Sequence, residues 1–410
     1  MQTRMLVIVA VVLGCVSAMA QAAASRPFPH HTTYAPGSIL PNHRSQTQLD
    51  DDVRAFYDDW KSKYLIAAGM TADSRTRYRI SFGKTDPNRT VSEGQGYGMV
   101  IVALMAGHDP NAQQIFDGLY EFAIAHPSHI EPRLMSYEIP EQAEVDSAFD
   151  GDADIAYGLM LADKQWGSAG TVNYAMAANA RIAGILAATI GKDSHLPMLG
   201  DWVDGPGGKK YNQYTPRSSD FMPGHFRAYG RFTSDPVWND VVAKSQKVID
   251  SIQARSSAPS GLLPDFIVKT NKVPLPAPAK FLEGARDGGY YYNAGRDPWR
   301  IGTDALLNAD ATSKSEVLKM ALFFKKASGG DPQKIRAGYS LRGKPLPNSN
   351  YFTTFFVAPV GVAAMLDPGS QTFLNAVYDS VRATHEDYYE DSVTLQCLLV
   401  MSSNFWDPTQ

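Results

Sequence analysis

The strongest constraint on the fold of this chain is a helical pattern of apolar residues that recurs twelve times between residues 48 and 401. Short polar breaks separate the segments. Several segments begin with a residue that favours a helix N-terminus, such as Asp220, Pro236 and Ser313. Strand patterns are few and short, so the sequence predicts an all-α fold.

Twelve helices in one chain of 410 residues suit an α/α toroid. Two long breaks, at 191–219 and 254–290, are rich in Gly, Pro and polar residues, and in a toroid such loops gather at one end and build a cleft. We see no low-complexity linker, so we expect one domain over residues 24–410. The predicted helices are 48–63, 92–106, 111–125, 147–166, 171–190, 220–232, 236–253, 293–307, 313–326, 351–365, 370–382 and 389–401.

The N-terminus has the pattern of a secretory signal peptide, which we expect at residues 1–23. Arg4 provides a positive charge before an apolar run at 5–18, which is too short to cross a bilayer as a helix. Small residues around Ala20 and Ala23 offer cleavage sites, whereas a partial lipobox ending at Cys15 leaves a lipoprotein as the alternative. The sequence therefore predicts export to the periplasm or the medium.

Composition excludes several classes of protein. Cys397 is the only cysteine after the signal segment, so the exported chain has no internal disulfide and needs a large core. We expect Cys397 to be buried. The 38 basic and 42 acidic residues give a net charge of −4, which does not indicate nucleic-acid binding. No His/Cys cluster has metal-ligand spacing, so we predict no metal or organic cofactor, and we expect a monomer.

One carboxylate stands among three glycines and a tyrosine in Val-Ser-Glu-Gly-Gln-Gly-Tyr-Gly-Met at residues 91–99. Glycine lets backbone and ligand approach closely, and an aromatic face can raise a carboxyl pKa. Glu93 is therefore a candidate general acid. The alternative is a helix start in which Ser92 and Gln95 form a capping box. A helix N-terminus lowers a carboxyl pKa, so a catalytic Glu93 would need burial or a neighbouring carboxylate.

Three further carboxylates, Asp150, Asp152 and Asp154, lead into an apolar helical segment. On a helix, Asp150 and Asp154 share one face and Asp152 points elsewhere. Their spacing does not fit a calcium-binding EF-hand, because Ile155 stands where that loop needs glycine. The structural alternatives, for at least one of the three, are a helix N-cap and a solvated position in the first turn.

Together with three later segments, these motifs resemble glycoside hydrolase family 8, inverting endo-acting enzymes that include endoglucanases, lichenases and chitosanases. The resemblance implies an (α/α)6 barrel. It also implies that Glu93 is the general acid, and that Asp150 contacts the sugar at the cleavage point and helps keep Glu93 protonated. The similarity covers residues 28–406, and the matching segments are 92–99, 150–157, 199–202, 217–221 and 290–296.

The general base is less direct. One branch of the family has Asp where this chain has Asn293, and a neutral amide cannot act as a base at neutral pH. Resemblance to the branch that shares the Asn implies a base in the preceding loop, 281–289. We predict Glu283, which follows the matching Phe-Leu pair, with Asp287 as the alternative. A solvated Asp287, or a local pair of either acid with Arg286, would be structural explanations.

The resemblance implies substrate contacts at Trp202, Tyr292 and Arg296, and Asn293 could hydrogen-bond the sugar or the water. Trp202 could stack on a sugar ring from its loop, or be buried between helices. Arg296 could donate to sugar hydroxyls or pair with Asp287 or Asp297, which are both close in sequence. These residues complete the predicted site.

The resemblance implies a secreted endo-β-1,4-glucanase that cleaves cellulose-like or mixed-linkage β-glucans. A chitosanase is the first alternative, but its cationic substrate calls for an excess of carboxylates, which a net charge of −4 does not indicate. A catalytically silent glucan-binding protein is the second. Only Asn293 favours it, and the presence of Glu93 and Asp150 argues against it.

Overall fold

The computed structural model describes residues 23–142, 145–204 and 209–410, so the predicted signal peptide lies almost entirely outside the described residues. Twelve α-helices are present in these ranges. They are α1 Gln46–Tyr64, α2 Ser92–Leu104, α3 Ala112–Ala125, α4 Phe149–Trp166, α5 Tyr174–Ala188, α6 Pro223–Thr233, α7 Val237–Arg255, α8 Asp297–Asn308, α9 Ala311–Ala327, α10 Thr354–Ala364, α11 Gln371–Val381 and α12 Tyr388–Met401.

Each predicted helix has its counterpart, and the main differences lie at helix starts. The predicted start at Asp220 is wrong, because Ser218–Asp220 forms a 3₁₀ turn and α6 begins at Pro223. The α9 helix begins before Ser313, because the side chain of Asp310 accepts a hydrogen bond from the Ser313 N–H and caps the helix. Pro236 stands at the N-cap of α7, as its sequence position indicated.

The helices form two concentric rings. The even-numbered helices contact one another in a closed cycle from α2 through α12, and each odd-numbered helix packs on the outside of an even-numbered one. Inner helices have neighbours on all sides, so α2, α4, α10 and α12 are buried around nearly their whole circumference. Outer helices such as α1 and α7 keep one exposed polar face. This arrangement confirms the (α/α)6 barrel.

Two glycines let α2 and α4 approach closely. A Cβ on Gly96 would lie 2.7 Å from Cβ of Asp154 and 2.8 Å from the backbone oxygen of Gly151, and a Cβ on Gly151 would collide with Ser92. The motif glycines therefore serve helix packing. As a consequence, the first turns of both helices, which carry Glu93 and Asp150, lie side by side.

The few strands form three two-stranded antiparallel sheets in the loops. They are β1 Leu65–Met70 with β2 Thr76–Ile80, β3 Thr90–Val91 with β4 Glu138–Ile139, and β5 Ile267–Val268 with β6 Leu275–Pro276. The main hydrophobic core extends from Phe28 to Trp406. It contains Cys397, which is fully buried as predicted. None of the helices in the described residues combines the length and the apolarity that crossing a bilayer requires.

Candidate active site

The candidate site lies where the N-terminal ends of the inner helices meet. Glu93 and Asp150 are the second residues of α2 and α4, Arg296 directly precedes α8, and Tyr388 begins α12. The N-cap residues of α2 and α4 make no side-chain cap hydrogen bond. The functional carboxylates therefore occupy first turns without capping them.

The capping-box interpretation of Ser92 and Gln95 is wrong. The amide of Gln95 is buried, accepts from the Ile80 N–H at 3.1 Å, and donates to the backbone oxygens of Tyr78 and Leu119. Gln95 therefore ties α2 to β2 and α3. The prediction that an aspartate caps α4 is also wrong, because Ala148 is at that N-cap.

Glu93 accepts two hydrogen bonds at the base of the site. Its Oε2 lies 2.7 Å from Nη1 of Arg296, and its Oε1 accepts from the hydroxyl of Tyr388 at 2.8 Å. Burial raises the pKa of Glu93 to about 7, assisted by the charge of Asp150 and opposed by Arg296, Tyr388 and Arg217. A catalytic Glu93 was expected to need burial or a neighbouring carboxylate that raises its pKa. Both are present, and burial has the larger effect on the pKa.

Asp150 has the opposite electrostatic environment. Its Oδ2 lies 2.7 Å from Nη1 of Arg296 and 3.1 Å from Nη1 of Arg217, and its Oδ1 accepts from the N–H of Gly151. Burial acts to raise the pKa of Asp150, but the two guanidinium charges outweigh it and the pKa is lowered. Asp150 is therefore ionised at pH values at which Glu93, whose pKa is raised to about 7, still holds a proton.

Arg296 contacts both Glu93 and Asp150. Its side chain is fully buried, and besides Glu93 and Asp150 it contacts the hydroxyl of Tyr97 at 3.3 Å and donates to Oγ of Ser219 at 2.7 Å. One guanidinium group thus fixes the relative positions of the two carboxylates.

The buried guanidinium of Arg296 is directed to protein carboxylates and hydroxyls, and its predicted contact with sugar hydroxyls stays a prediction. Its predicted pairing with Asp287 or Asp297 is wrong, because its Nη1 lies 2.7 Å from the carboxylate of Asp150 and 2.7 Å from the carboxyl group of Glu93. The short sequence separation to the two aspartates was misleading, since partners nearly 150 and just over 200 residues away occupy Arg296.

The other two aspartates of the second motif are structural. Asp154 forms a buried ion pair with Arg300 and contacts Nε2 of His225. Asp152 points elsewhere, as predicted, and is bound by the guanidinium of Arg181. These contacts fix α4 against its neighbours, so Asp150 is the only one of the three that faces Glu93.

Glu283 is connected to Asp150 through Arg217. Its Oε2 accepts from Nδ2 of Asn293 at 2.8 Å, and its Oε1 lies 4.0 Å from Nη2 of Arg217, which also contacts Asp150. The side chain of Glu283 is 49% exposed, so water can reach it. Asn293 is buried, and its amide orients the carboxylate of Glu283. Asn293 does not itself supply a carboxylate.

Asp287 is turned into the loop. It is 3% exposed, and its carboxylate accepts hydrogen bonds from the backbone N–H groups of Leu282, Glu283 and Gly284 at 2.7, 3.1 and 2.8 Å. Asp287 therefore shapes the backbone that carries Glu283, and a solvated Asp287 is excluded.

The proposed pairing with Arg286 is also wrong. Its guanidinium donates to the backbone oxygen of Pro347 and lies 4.4 Å from the ring centre of Tyr291. Neither Glu283 nor Asp287 forms an ion pair with Arg286. The carboxylate of Glu283 is therefore free of Arg286 and faces the site.

The predicted aromatic contacts flank the carboxylates. Trp202 is partly exposed and packs edge-on against Tyr211, with ring centres 5.3 Å apart. It belongs to a small hydrophobic cluster that Leu282 joins, so it stands beside the loop of Glu283. Tyr292 is partly exposed and stacks on Phe355 at 5.3 Å. Burial of Trp202 between helices, the structural alternative, does not occur.

Four further residues complete the site, namely Tyr97, Arg217, Ser219 and Tyr388, and the sequence analysis gave a role only to Tyr97, as the aromatic face beside Glu93. The first three lie inside the matching segments, where a charged or hydroxyl side chain among the motif residues was a usable signal. Tyr388 lies outside every motif and reaches Glu93 across 295 residues of sequence, so only the fold reveals it.

One cluster has the residue types of a metal site. Ligand atoms of Asp59, His385 and Asp391 lie within 4.8 Å of one another. However, the ammonium of Lys63 contacts Asp59, and the hydroxyl of Tyr64 donates to Asp391. A cation would have to displace both, so the cluster is a network of ion pairs between α1 and α12.

The raised pKa of Glu93 predicts how the activity of the enzyme decreases at alkaline pH. We expect kcat/KM to fall above about pH 7, because Glu93 then loses the proton that a general acid must donate. The measurement is kcat/KM on a soluble β-glucan from pH 4 to 9. A plateau that continues to pH 9 would contradict this assignment.

A stability measurement provides an independent control. Between its ordinary pKa of 4.5 and about 7, Glu93 holds a proton when folded that it lacks when unfolded, so its contribution to stability falls as pH rises through this window. The Glu93→Gln variant lacks this penalty. Its melting temperature should rise relative to that of the wild type between pH 5 and pH 8.

The fold and the site together define a glycoside hydrolase of the α/α-barrel type, with three carboxyl groups held by two arginines, Arg217 and Arg296. The chain matches the glycosyl hydrolases family 8 over residues 40–403 and belongs to that family.

Similar proteins cover nearly the full length. A β-glucanase of Niallia circulans is 40% identical over 395 residues, covering 95% of this chain and 93% of that protein. An endoglucanase of Bacillus sp. (strain KSM-330) is 38% identical over 393 residues, covering 93% of this chain and 82% of that protein. The apo structure of a β-1,3-1,4-glucanase from Paenibacillus sp. X4 gives a TM-score of 0.89 at 40% identity, covering 94% of this chain and all of that one.

Proposed function

We propose that this protein is an inverting endo-β-1,4-glucanase that cleaves cellulose-like or mixed-linkage β-glucans. The observation that carries the proposal is a pair of carboxyl groups in different environments, namely Glu93, whose pKa burial raises to about 7, and Glu283, whose exposed carboxylate is linked to Asp150 through Arg217. Inverting hydrolysis needs an acid at the leaving oxygen and a base for the attacking water on the opposite face.

In the proposed reaction, Glu93 gives its proton to the glycosidic oxygen as the bond to the anomeric carbon breaks. A water molecule attacks that carbon from the other side, and Glu283 takes its proton. Asp150 stays ionised and stabilises the positive charge that develops on the sugar ring. Glu93 ends deprotonated and Glu283 protonated, and exchange with solvent restores both.

Asp150 is a poor candidate for the base. Glu93 Oε2 and Asp150 Oδ2 each lie 2.7 Å from the same nitrogen of Arg296, so these carboxylates are too close to enclose a water. Inverting pairs are about 6.5–9.5 Å apart. In addition, two guanidinium groups already share the oxygen of Asp150 that faces Glu93. Both points favour Glu283.

Charge balance supports the assigned protonation states. Arg217 and Arg296 bring two positive charges, which the carboxylates of Asp150 and Glu283 neutralise. A charge on Glu93 would have to share Arg296 with Asp150 in a buried setting, which fits its raised pKa.

The substrate class follows from the relatives and from the charges of the site. The similar proteins are named β-glucanase, endoglucanase and β-1,3-1,4-glucanase. The three carboxylates of the site are already bound by Arg217, Arg296 or Asn293, which disfavours the ammonium groups of chitosan. A silent binding protein would have no need for an acid with a raised pKa.

We further propose that residues 24–410 form one catalytic domain that is exported and acts without a cofactor, with Trp202 and Tyr292 as sugar platforms. Partly exposed aromatic rings beside the carboxylates support this role, because the C–H faces of sugars are flat and apolar.

A substrate panel tests the proposed function. We expect the purified enzyme to release reducing ends from lichenan and carboxymethylcellulose, with no measurable release from chitosan. The Glu93→Gln variant, assayed in parallel, should be inactive on all three. Preferential cleavage of chitosan would replace the proposal by the chitosanase, and inactivity of the wild type on every polymer would favour a binding protein.

A further inference from the structure

A groove of strong positive charge lies outside the catalytic carboxylates. We call it the basic groove, and its cations are Lys210, Lys244, Lys247, Arg255, Lys269 and Lys272. All six are exposed, and none forms an ion pair with another residue in the described part of the chain. Since the protein carries a net charge of −4, this concentration is unlike its average surface.

The groove consists of two adjoining cavities of about 520 and 510 Å³, which share Tyr214, Asn271 and Lys272. One wall is a single face of α7, on which Lys244, Lys247 and Arg255 recur at helical spacing. The other wall is the turn between β5 and β6. Among the lining residues that the structure describes, Asp193 is the only acidic one, and it is hydrogen-bonded to the amide of Gln213.

The inner end of the groove reaches the loop of Glu283. Phe281 lines the groove two residues before Glu283, and the ring centre of Tyr211 lies 5.2 Å from it. The ammonium of Lys210 lies 4.8 Å from the same Tyr211 ring, whose other neighbour is Trp202. A polymer in the groove would therefore pass within side-chain reach of the aromatic platform of the active site.

The lining predicts the chemistry of a ligand. Unpaired ammonium and guanidinium groups attract carboxylates, and the field is strengthened because the cations line a recess. Between them stand neutral groups that suit sugar hydroxyls, namely Ser194, Ser251, Thr270 and Asn271, and the phenol ring of Tyr214. The side-chain oxygen of Thr270, Oγ1, is buried and has no hydrogen-bond partner in the structure.

We propose that the basic groove binds the carboxylate groups of an acidic polysaccharide. Each cation meets one acid group of the chain, and the hydroxyl and amide side chains bind the sugar units between them. The site holds an anionic polymer independently of hydrolysis, so it adds to the proposed glucanase activity without resting on it. Acid-bearing glucans would also be drawn towards the catalytic loop.

A polysaccharide suits the groove better than an anionic membrane. A flat bilayer contacts protruding surfaces, whereas these cations surround recesses of about 500 Å³ each. The exposed apolar residues at the rim, Val273 and Leu275, are too few to anchor a protein in lipid. A membrane remains a measurable alternative, and the test includes it.

The test compares two double variants with the same net charge. In the groove variant, Lys244→Glu and Lys247→Glu reverse two charges on α7. In the control variant, Lys314→Glu and Lys326→Glu reverse two charges on α9, outside the groove lining. Binding to polygalacturonate, an acidic polymer without β-glucosidic bonds, is measured by affinity electrophoresis at increasing NaCl, and melting curves establish that both variants are folded.

We expect wild-type binding that weakens with salt, a dissociation constant about tenfold higher for the groove variant, and a change of no more than about twofold for the control. Equal losses in both variants would overturn the site in favour of general charge attraction. No wild-type binding at low salt would also overturn it. So would retention on phosphatidylglycerol vesicles, lost only in the groove variant, without polygalacturonate binding.

Discussion

Replacement of Glu93 by glutamine should reduce kcat by about 10²–10⁴-fold or more while the fold stays intact. Glutamine keeps the shape of the side chain, and its amide oxygen can still accept from Arg296, but it has no acidic proton for the glycosidic oxygen. The loss should appear in kcat and not in KM, because the proton is needed only in the transition state. The measurement is steady-state hydrolysis of lichenan.

Glu316 provides a matched control for this variant. It is a buried glutamate on the outer helix α9, and burial raises its pKa to about 9, so it too is protonated at neutral pH. Glu316→Gln should therefore leave hydrolysis unchanged. If Glu93→Gln turned over at a near wild-type rate, Glu93 would have no part in the mechanism.

Replacement of Glu283 by alanine should remove most activity and make the enzyme responsive to azide. The substitution removes the carboxylate that accepts from Asn293 and leaves space for a small anion where the attacking water stood. Azide needs no general base, so it should partly restore turnover and give an α-glycosyl azide, the product of attack opposite the leaving group. Product analysis by mass spectrometry and NMR identifies it.

Asp287 separates the role of the base from that of its loop. If Glu283 is the base, Asp287→Ala should lose much less activity than Glu283→Ala. Because Asp287 accepts three backbone hydrogen bonds from the loop, we expect Asp287→Ala to lose activity through displacement of Glu283, with no rescue by azide. Rescue of Asp287→Ala instead would identify Asp287 as the base. If neither substitution mattered, the base would lie outside this loop.

Much of the barrel could be predicted because the apolar pattern that forms each helix lies within the sequence of that helix. Each helix carries its own apolar pattern, and even an inner helix such as α12 shows an apolar run of sufficient length. Helix starts were less predictable, because a single capping side chain decides them. Asp310 moves the start of α9 ahead of Ser313 in this way.

The site was predictable only where a motif marked it. Glu93 and Asp150 stand in recognisable segments, whereas their relation to Arg296 depends on which helices become neighbours. Spacing alone could not separate Glu283 from Asp287, because both lie in one polar loop. The backbone path gives the two acids different surroundings, because it turns Asp287 inward and leaves Glu283 49% exposed, which favours Glu283 as the proposed base.

The stereochemistry of the first-formed product tests most directly the claim that Glu93 and Glu283 act as acid and base in a single displacement. ¹H NMR of β-glucan hydrolysis, recorded before mutarotation, resolves the anomers of the new reducing end. We predict that the α anomer appears first, because water attacks the β-linked carbon from the opposite face. A first-formed β anomer would indicate a covalent intermediate and would contradict the assignment of Glu283 as general base.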